Sequence, residues 1–174
     1  MQRMGTEILE AEVFSVHAAQ KIGIVNGILV RNKDLKIELL KVKTEDSDAP
    51  HYLMTNDIRA YDQKKIIVNS MQELSQADEL IRHQEFIKSA NQLFGLKVVT
   101  QSGKKIGKVK DFTIDTAHYF VVKIHITAGL WQRVIHERLI IDRSDIVDVK
   151  SNKLIVRDST IKAKAATKVL PAKV

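Results

Sequence analysis

Six histidines, His17, His51, His83, His118, His125 and His136, are scattered along the chain. None shows the His-x-x-x-His spacing that sets two imidazoles on one helix face for a metal. His125 and His136 fall in or beside opposite strands of an expected hairpin, where they would face each other, but a surface role is the expectation for all six. Asp111 and Asp115 stand four apart near one strand, and paired carboxylates are the equipment of acid–base catalysis. No Gly-x-Ser-x-Gly elbow, phosphate-cradling glycine loop or dinucleotide fingerprint accompanies them. The absence of cysteine removes thiol nucleophiles, thiolate metal sites and disulfides. The expectation is a protein that is not an enzyme and carries no cofactor and no metal.

Charge is the informative residue class. The chain has 28 Lys and Arg against 21 Asp and Glu, a net charge of +7. Residues 96–174 hold 16 basic and 7 acidic side chains, whereas residues 1–95 hold 12 and 14, so the excess lies entirely in the second half. It is concentrated in Lys104, Lys105, Lys108 and Lys110, in Arg133, Arg138 and Arg143, and in a tail with four lysines and no acid from Ser159 onward. A surface of this sign attracts an RNA, an acidic protein or an anionic membrane. The single tryptophan, Trp131, sits in Gly129-Leu130-Trp131-Gln132-Arg133, an expected hairpin tip. Aromatic and arginine side chains are favoured anchors at protein contacts. Trp131, Arg133, Arg138, Lys104, Lys105, Lys108 and Lys110 are therefore the candidate contact residues. Packing of Trp131 at a barrel mouth or on a helix is the competing role.

The elements that position these residues follow from a repeat. Lys105-Ile106-Gly107 falls on Lys21-Ile22-Gly23 at an offset of 84, with Val109 on Val25, Phe112 on Ile28 and Ile114 on Val30. Later, Asp145-Ile146 and Leu154-Ile155-Val156 repeat Asp57-Ile58 and Ile66-Ile67-Val68 at an offset of 88. Each copy reads as short strands. In the second, Phe120, Val122, Ile124 and Ile126 alternate with Val121, Lys123 and His125, predicting that the first set is buried. Gly23 and Gly107 inside strand patterns predict a bulge or a close backbone approach. Between the copies, Leu74, Ala77, Leu80, Ile81, Ile87, Ala90 and Phe94 recur at helical spacing, with a break after Ser70 and a stop at Gly95. This stripe must pack on something, so the copies are expected to dock. The fold class is mainly β: two small β-barrels joined by a helical linker. The boundaries are 1–70 for the first barrel, 71–94 for the linker, 95–160 for the second barrel and 161–174 for the basic tail.

Leu93-x-Gly95-x-x-Val98, then Gly103-Lys104-Lys105-Ile106-Gly107-Lys108-Val109-Lys110-Asp111-Phe112-x-Ile114-Asp115, alternating strands and Asp145-Ile146 together resemble the PRC-barrel domain family. The first copy is similar but degenerate: Ala11 and Ala19 stand for glycines, and Gly27 and Arg31 for the two aspartates. The resemblance implies that Asp111 and Asp115 hold turn or strand-end amides. Two such copies joined by a helix look like the tandem PRC-barrel proteins of bacteria.

The functional expectation is a non-enzymatic interaction or adaptor protein with a protein partner, contacted through the basic second copy. The alternative is an RNA- or ribosome-associated factor, implied by the basic half and by the ribosome maturation branch of the family. Peripheral contact of the lysine tail with an anionic membrane is the third. The longest nearly apolar stretch, Ile22–Val30, is nine residues against about 20 needed to cross a bilayer, so no transmembrane segment is expected. Three acids among the first twelve residues argue against a signal peptide, and a cytoplasmic location is expected.

Overall fold

The structure is a computed structural model that describes residues 1–128 and 139–159. In chain order, β1 (Gln2–Met4) and a single turn α1 (Gly5–Ile8) lead into β2 (Glu12–Ser15), β3 (Gln20–Val30), β4 (Ile37–Lys43), β5 (His51–Met54), β6 (Ala60–Asp62) and β7 (Lys65–Val68). A connecting stretch holds β8 (Leu74–Ser75) and α2 (Gln84–Ser89). The second half comprises β9 (Lys97–Thr100), β10 (Lys105–Asp115), β11 (Phe120–Ala128), β12 (Leu139–Asp142), β13 (Ile146–Lys150) and β14 (Lys153–Val156).

The protein is mainly β, and its strands form two curled, half-barrel sheets. The first runs β6-β7-β2-β3-β4-β5-β8, and the second runs β13-β14-β9-β10-β11-β12 with β1 added on β10. Apart from β8 and β1 the two orders correspond, each with a parallel pair, β2 with β7 and β9 with β14. Among the described residues neither sheet closes on itself through a pair between its end strands. Two small barrels were the expectation, and the described residues show curled, half-barrel sheets.

Local irregularities also recur 84 positions apart. Ile22 and Ile106 are each skipped in the pairing of the first two strands, and beside them Gly23 and Gly107 approach the following strand too closely for a side chain. A Cβ on Gly107 would stand 2.0 Å from the Thr127 carbonyl oxygen, and one on Gly23 would stand 2.6 Å from Val42 Cγ1. Asn26 and Lys110 are the extra residues of one bulge, Glu38 and Val122 of another. The second bulge corrects the strand reading. Once Val122 is extra, the alternation slips, so Val121, Ile124 and Ile126 are buried while Phe120 and Val122 are only half-buried. The turns match too: Ala19 (φ 50°) and Gly103 (φ 85°) share a position, as do Leu35 and Tyr119 (both φ 58°).

The halves join reciprocally. Ile37 N–H donates to the Tyr119 carbonyl (2.7 Å), and Val121 N–H donates to the Leu35 carbonyl (3.0 Å), which are equivalent residues exchanging equivalent bonds. The segment that leads into each half pairs with the long strand of the other. Arg3 pairs with Ile114, and Asn91 exchanges two backbone bonds with Val30 (3.2 and 3.3 Å). One hydrophobic core, including Ile28, Val30, Ile37, Leu40, Phe112 and Ile124, runs through both sheets.

The linker is less helical than its periodicity predicts. It consists of 3₁₀ turns at Met71–Glu73 and Ile81–His83, the strand β8, and the six-residue α2. Leu74 is the reason for the first break. It pairs with Leu53 in extended form and is buried, which a continuous helix would forbid. The Ser70 hydroxyl accepts from Gln72 N–H and starts the first turn. The apolar stripe still finds its partner, since Ala77, Leu80, Ile87 and Ala90 pack on Leu29, Leu39 and Tyr52, while Ile81 remains 77% exposed.

Candidate anion-binding face

Lys104, Lys105, Lys108 and Lys110 are all exposed, Lys104 in the turn before β10 and the other three on it. Trp131, Arg133, Arg138, His136 and the tail lysines lie outside the described residues.

Register decides what surrounds the β10 lysines. Residues directly opposite on neighbouring strands point to the same face. Lys108 lies opposite Lys97, Lys97 opposite Lys153, and Lys153 opposite Lys150. Four strands, β10, β9, β14 and β13, thus put one lysine each into a single cross-strand row, continued on β11 by Thr127. Adjacent strands are about 4.8 Å apart, so the row spans about 14 Å. Lys97, Lys108 and Lys150 are exposed and Lys153 is half-buried. The next row is Lys105, Val99, Ile155 and Asp148.

Each strand turns its lysine outward because the neighbouring positions are core. Val98, Val109, Leu154 and Val149 are at most 4% exposed and anchor the inner face. Like charges placed directly opposite one another are destabilising, by a few tenths to about 1 kcal/mol per pair. Among the described residues the row has little relief. Lys150 stands 3.8 Å from Asp148, and no other lysine of the row, nor Lys105 or Lys110, has an ion pair there. Lys97, Lys150 and Lys153 are the members that composition and clustering missed.

Asp111, Asp115, His118 and His125 each make contacts within the fold. Asp111 accepts from Thr6 N–H (3.2 Å), Thr6 Oγ1 (2.5 Å) and Phe112 N–H (2.7 Å), tying the N-terminal turn to β10. Asp115 accepts from Ala117 N–H and pairs with His118 Nδ1 (2.9 Å). The His118 hydrogen bond, then the Ala117 amide, holds the Asp115 carboxyl below the usual range. His125 Nε2 contacts Thr113 Oγ1 at 2.9 Å.

Two clefts flank the junction of the halves at equivalent places. The larger, about 430 Å³, lies between Thr55–Tyr61 and the Thr116–Tyr119 turn. The smaller, about 130 Å³, lies between the Asn32–Leu35 turn and Arg143–Asp148. Arg3 stacks on the Tyr61 ring beside the larger cleft (5.3 Å), and burial, followed by the neighbouring Tyr119 phenol, pushes the Tyr61 hydroxyl well above its ordinary value. The smaller is crossed by charge: Arg31 holds Asp34 (2.6 Å) and Glu38 (2.6 Å) beside it.

The structure therefore defines a mainly β protein of two half-barrels on a shared core, with a cationic outer face on the second. Residues 87–161 match the PRC-barrel domain family, a match that starts eight residues ahead of the boundary expected at residue 95. No curated protein matches the chain. Among the described residues, no helix is long and apolar enough to cross a membrane.

Proposed function

We propose that the chain is a non-enzymatic binding module built from two PRC-type copies, the first diverged, and that the second copy holds an anionic partner on its cationic sheet face. Strand order, bulges, positive-φ turns and glycine contacts that recur at a fixed offset support the tandem reading. The observation that carries the functional reading is the Lys108–Lys97–Lys153–Lys150 row. Four like charges on adjacent strands cost stability, and an anionic partner offsets that cost. The adaptor role toward an acidic protein and the RNA- or ribosome-associated role both use this face, in a cytoplasmic setting.

The test compares elution from immobilised heparin. Replacing Lys97, Lys108, Lys150 and Lys153 with Gln should lower the salt needed for elution far more than replacing the exposed Lys33, Lys43, Lys64 and Lys88 of the first half and linker, which changes net charge equally. Equal shifts for the two variants would show that net charge acts without a dedicated face, and the proposal would fall.

A further inference from the structure

We infer that the lysine row takes the phosphodiester backbone of a single nucleic-acid strand, without selecting bases. This rests on the proposed role of that face and names its partner. The first argument is shape. The row is a line of charge with one lysine on each of four successive strands, about 4.8 Å apart. A line of cations matches a linear polyanion, whereas a lipid surface rewards a broad patch with apolar side chains to insert. Here the row beside it carries one further lysine, Lys105, then Val99 and Ile155 half-buried in the sheet and the acid Asp148 at its other end, so it adds no apolar side chain free to insert.

The second argument is residue type. The two rows contain lysines, Thr127, Val99, Ile155 and Asp148, with no arginine and no aromatic ring, and the exposed Arg157 lies two residues beyond Ile155. Protein interfaces are depleted in lysine and anchored by Tyr, Trp and Arg. Base recognition needs stacking rings or forked donors. Lysine instead serves phosphate as a point charge on a flexible stem. The two rows thus offer sequence-independent phosphate contact.

The experiment measures binding of the full chain to a fluorescein-labelled single-stranded RNA of mixed sequence by anisotropy across a salt series. Four phosphate contacts predict a slope of log K against log[salt] near about −2.8. The Lys97→Gln/Lys153→Gln variant should bind more weakly, with the slope reduced in size by about 1.4, and homopolymers of U and A should bind within about threefold of each other. An unchanged slope in that variant, or strong base preference, overturns the inference. If RNA is not bound but phosphatidylglycerol vesicles or an acidic peptide are, in a manner that needs the four lysines, the nucleic-acid assignment fails while the cationic face stands as a binding site. If the four-lysine variant matches the wild type on heparin, RNA and vesicles, both readings fail. Thermal unfolding of each variant verifies the fold, and these substitutions should leave the midpoint equal or higher because they remove like-charge pairs.

Discussion

The tie between Thr6 and Asp111 offers the sharpest test of how the halves are joined. Asp111 is 9% exposed and accepts three hydrogen bonds, two of them from Thr6, which precedes the first sheet by six residues yet docks on the second. Thr6→Val removes only the hydroxyl bond and should cost about 1.5–3 kcal/mol, the range for a hydrogen bond to a charged acceptor. Asp111→Ala leaves Thr6 N–H, Thr6 Oγ1 and Phe112 N–H without their acceptor, and should cost about 3–5 kcal/mol because such penalties do not add fully. In urea unfolding of the two single variants and the double variant, the coupling energy should lie near the cost of Thr6→Val alone. Both variants should also lower one common transition, since one core runs through both sheets. A coupling below about 0.5 kcal/mol, the scatter of independent sites, would refute the role given to this contact. So would a variant in which the second half melts while the first stays folded.

Other outcomes follow from local geometry. Ala19→Gly should stabilise by about 1 kcal/mol, because Ala19 occupies left-handed backbone (φ 50°) where its equivalent Gly103 (φ 85°) is at ease; urea midpoints measure it, and Gly103→Ala should move the other way. Gly107→Ala should cost about 3 kcal/mol or more in the same assay, since its Cβ would meet the Thr127 carbonyl at 2.0 Å and backbone has to move. Burial, then the charge of Glu73, raises the Asp57 carboxyl above its reference value of 3.8. A raised carboxyl is a penalty on the folded state that is complete above the folded value and gone below 3.8. Asp57→Asn should therefore raise the melting temperature at neutral pH, and the gain should disappear as pH falls through the window just above 3.8. A gain that persists at lower pH would mean that charge is not its cause.

Much of the architecture is legible in the residues themselves. Lys21-Ile22-Gly23 and Lys105-Ile106-Gly107 mark the same bulge and the same close approach in both sheets, because only glycine fits there. The alternation from Phe120 to Ile126 is legible only in part, since the slip at Val122 is set by pairing with β10 and leaves no trace in local periodicity. The linker misleads for a similar reason: Leu74 is spaced for a helix but is claimed by Leu53 across a strand pair, a tertiary choice that overrides spacing. Of the cationic row, the pairing of Lys150 with Lys153 across Ser151-Asn152 could have been read from a two-residue turn between strand patterns. The parallel pairing that brings Lys153 beside Lys97 could not, since those residues are far apart in sequence and nothing local encodes their register.

The reciprocal pairing of the lead-in segments also sets an order of events in biosynthesis. Met1 accepts a hydrogen bond from Thr116, 115 residues later in the chain. At about 5–20 residues per second of synthesis, the N-terminal strand waits about 6–20 s before β10 exists to receive it. Throughout that interval β1 has emerged without its partner strand, and the second half cannot complete its sheet until β1 docks on β10. Docking of β1 on β10 therefore closes the longest loop among the strand pairs of the described residues, a long-range contact that no local turn assists.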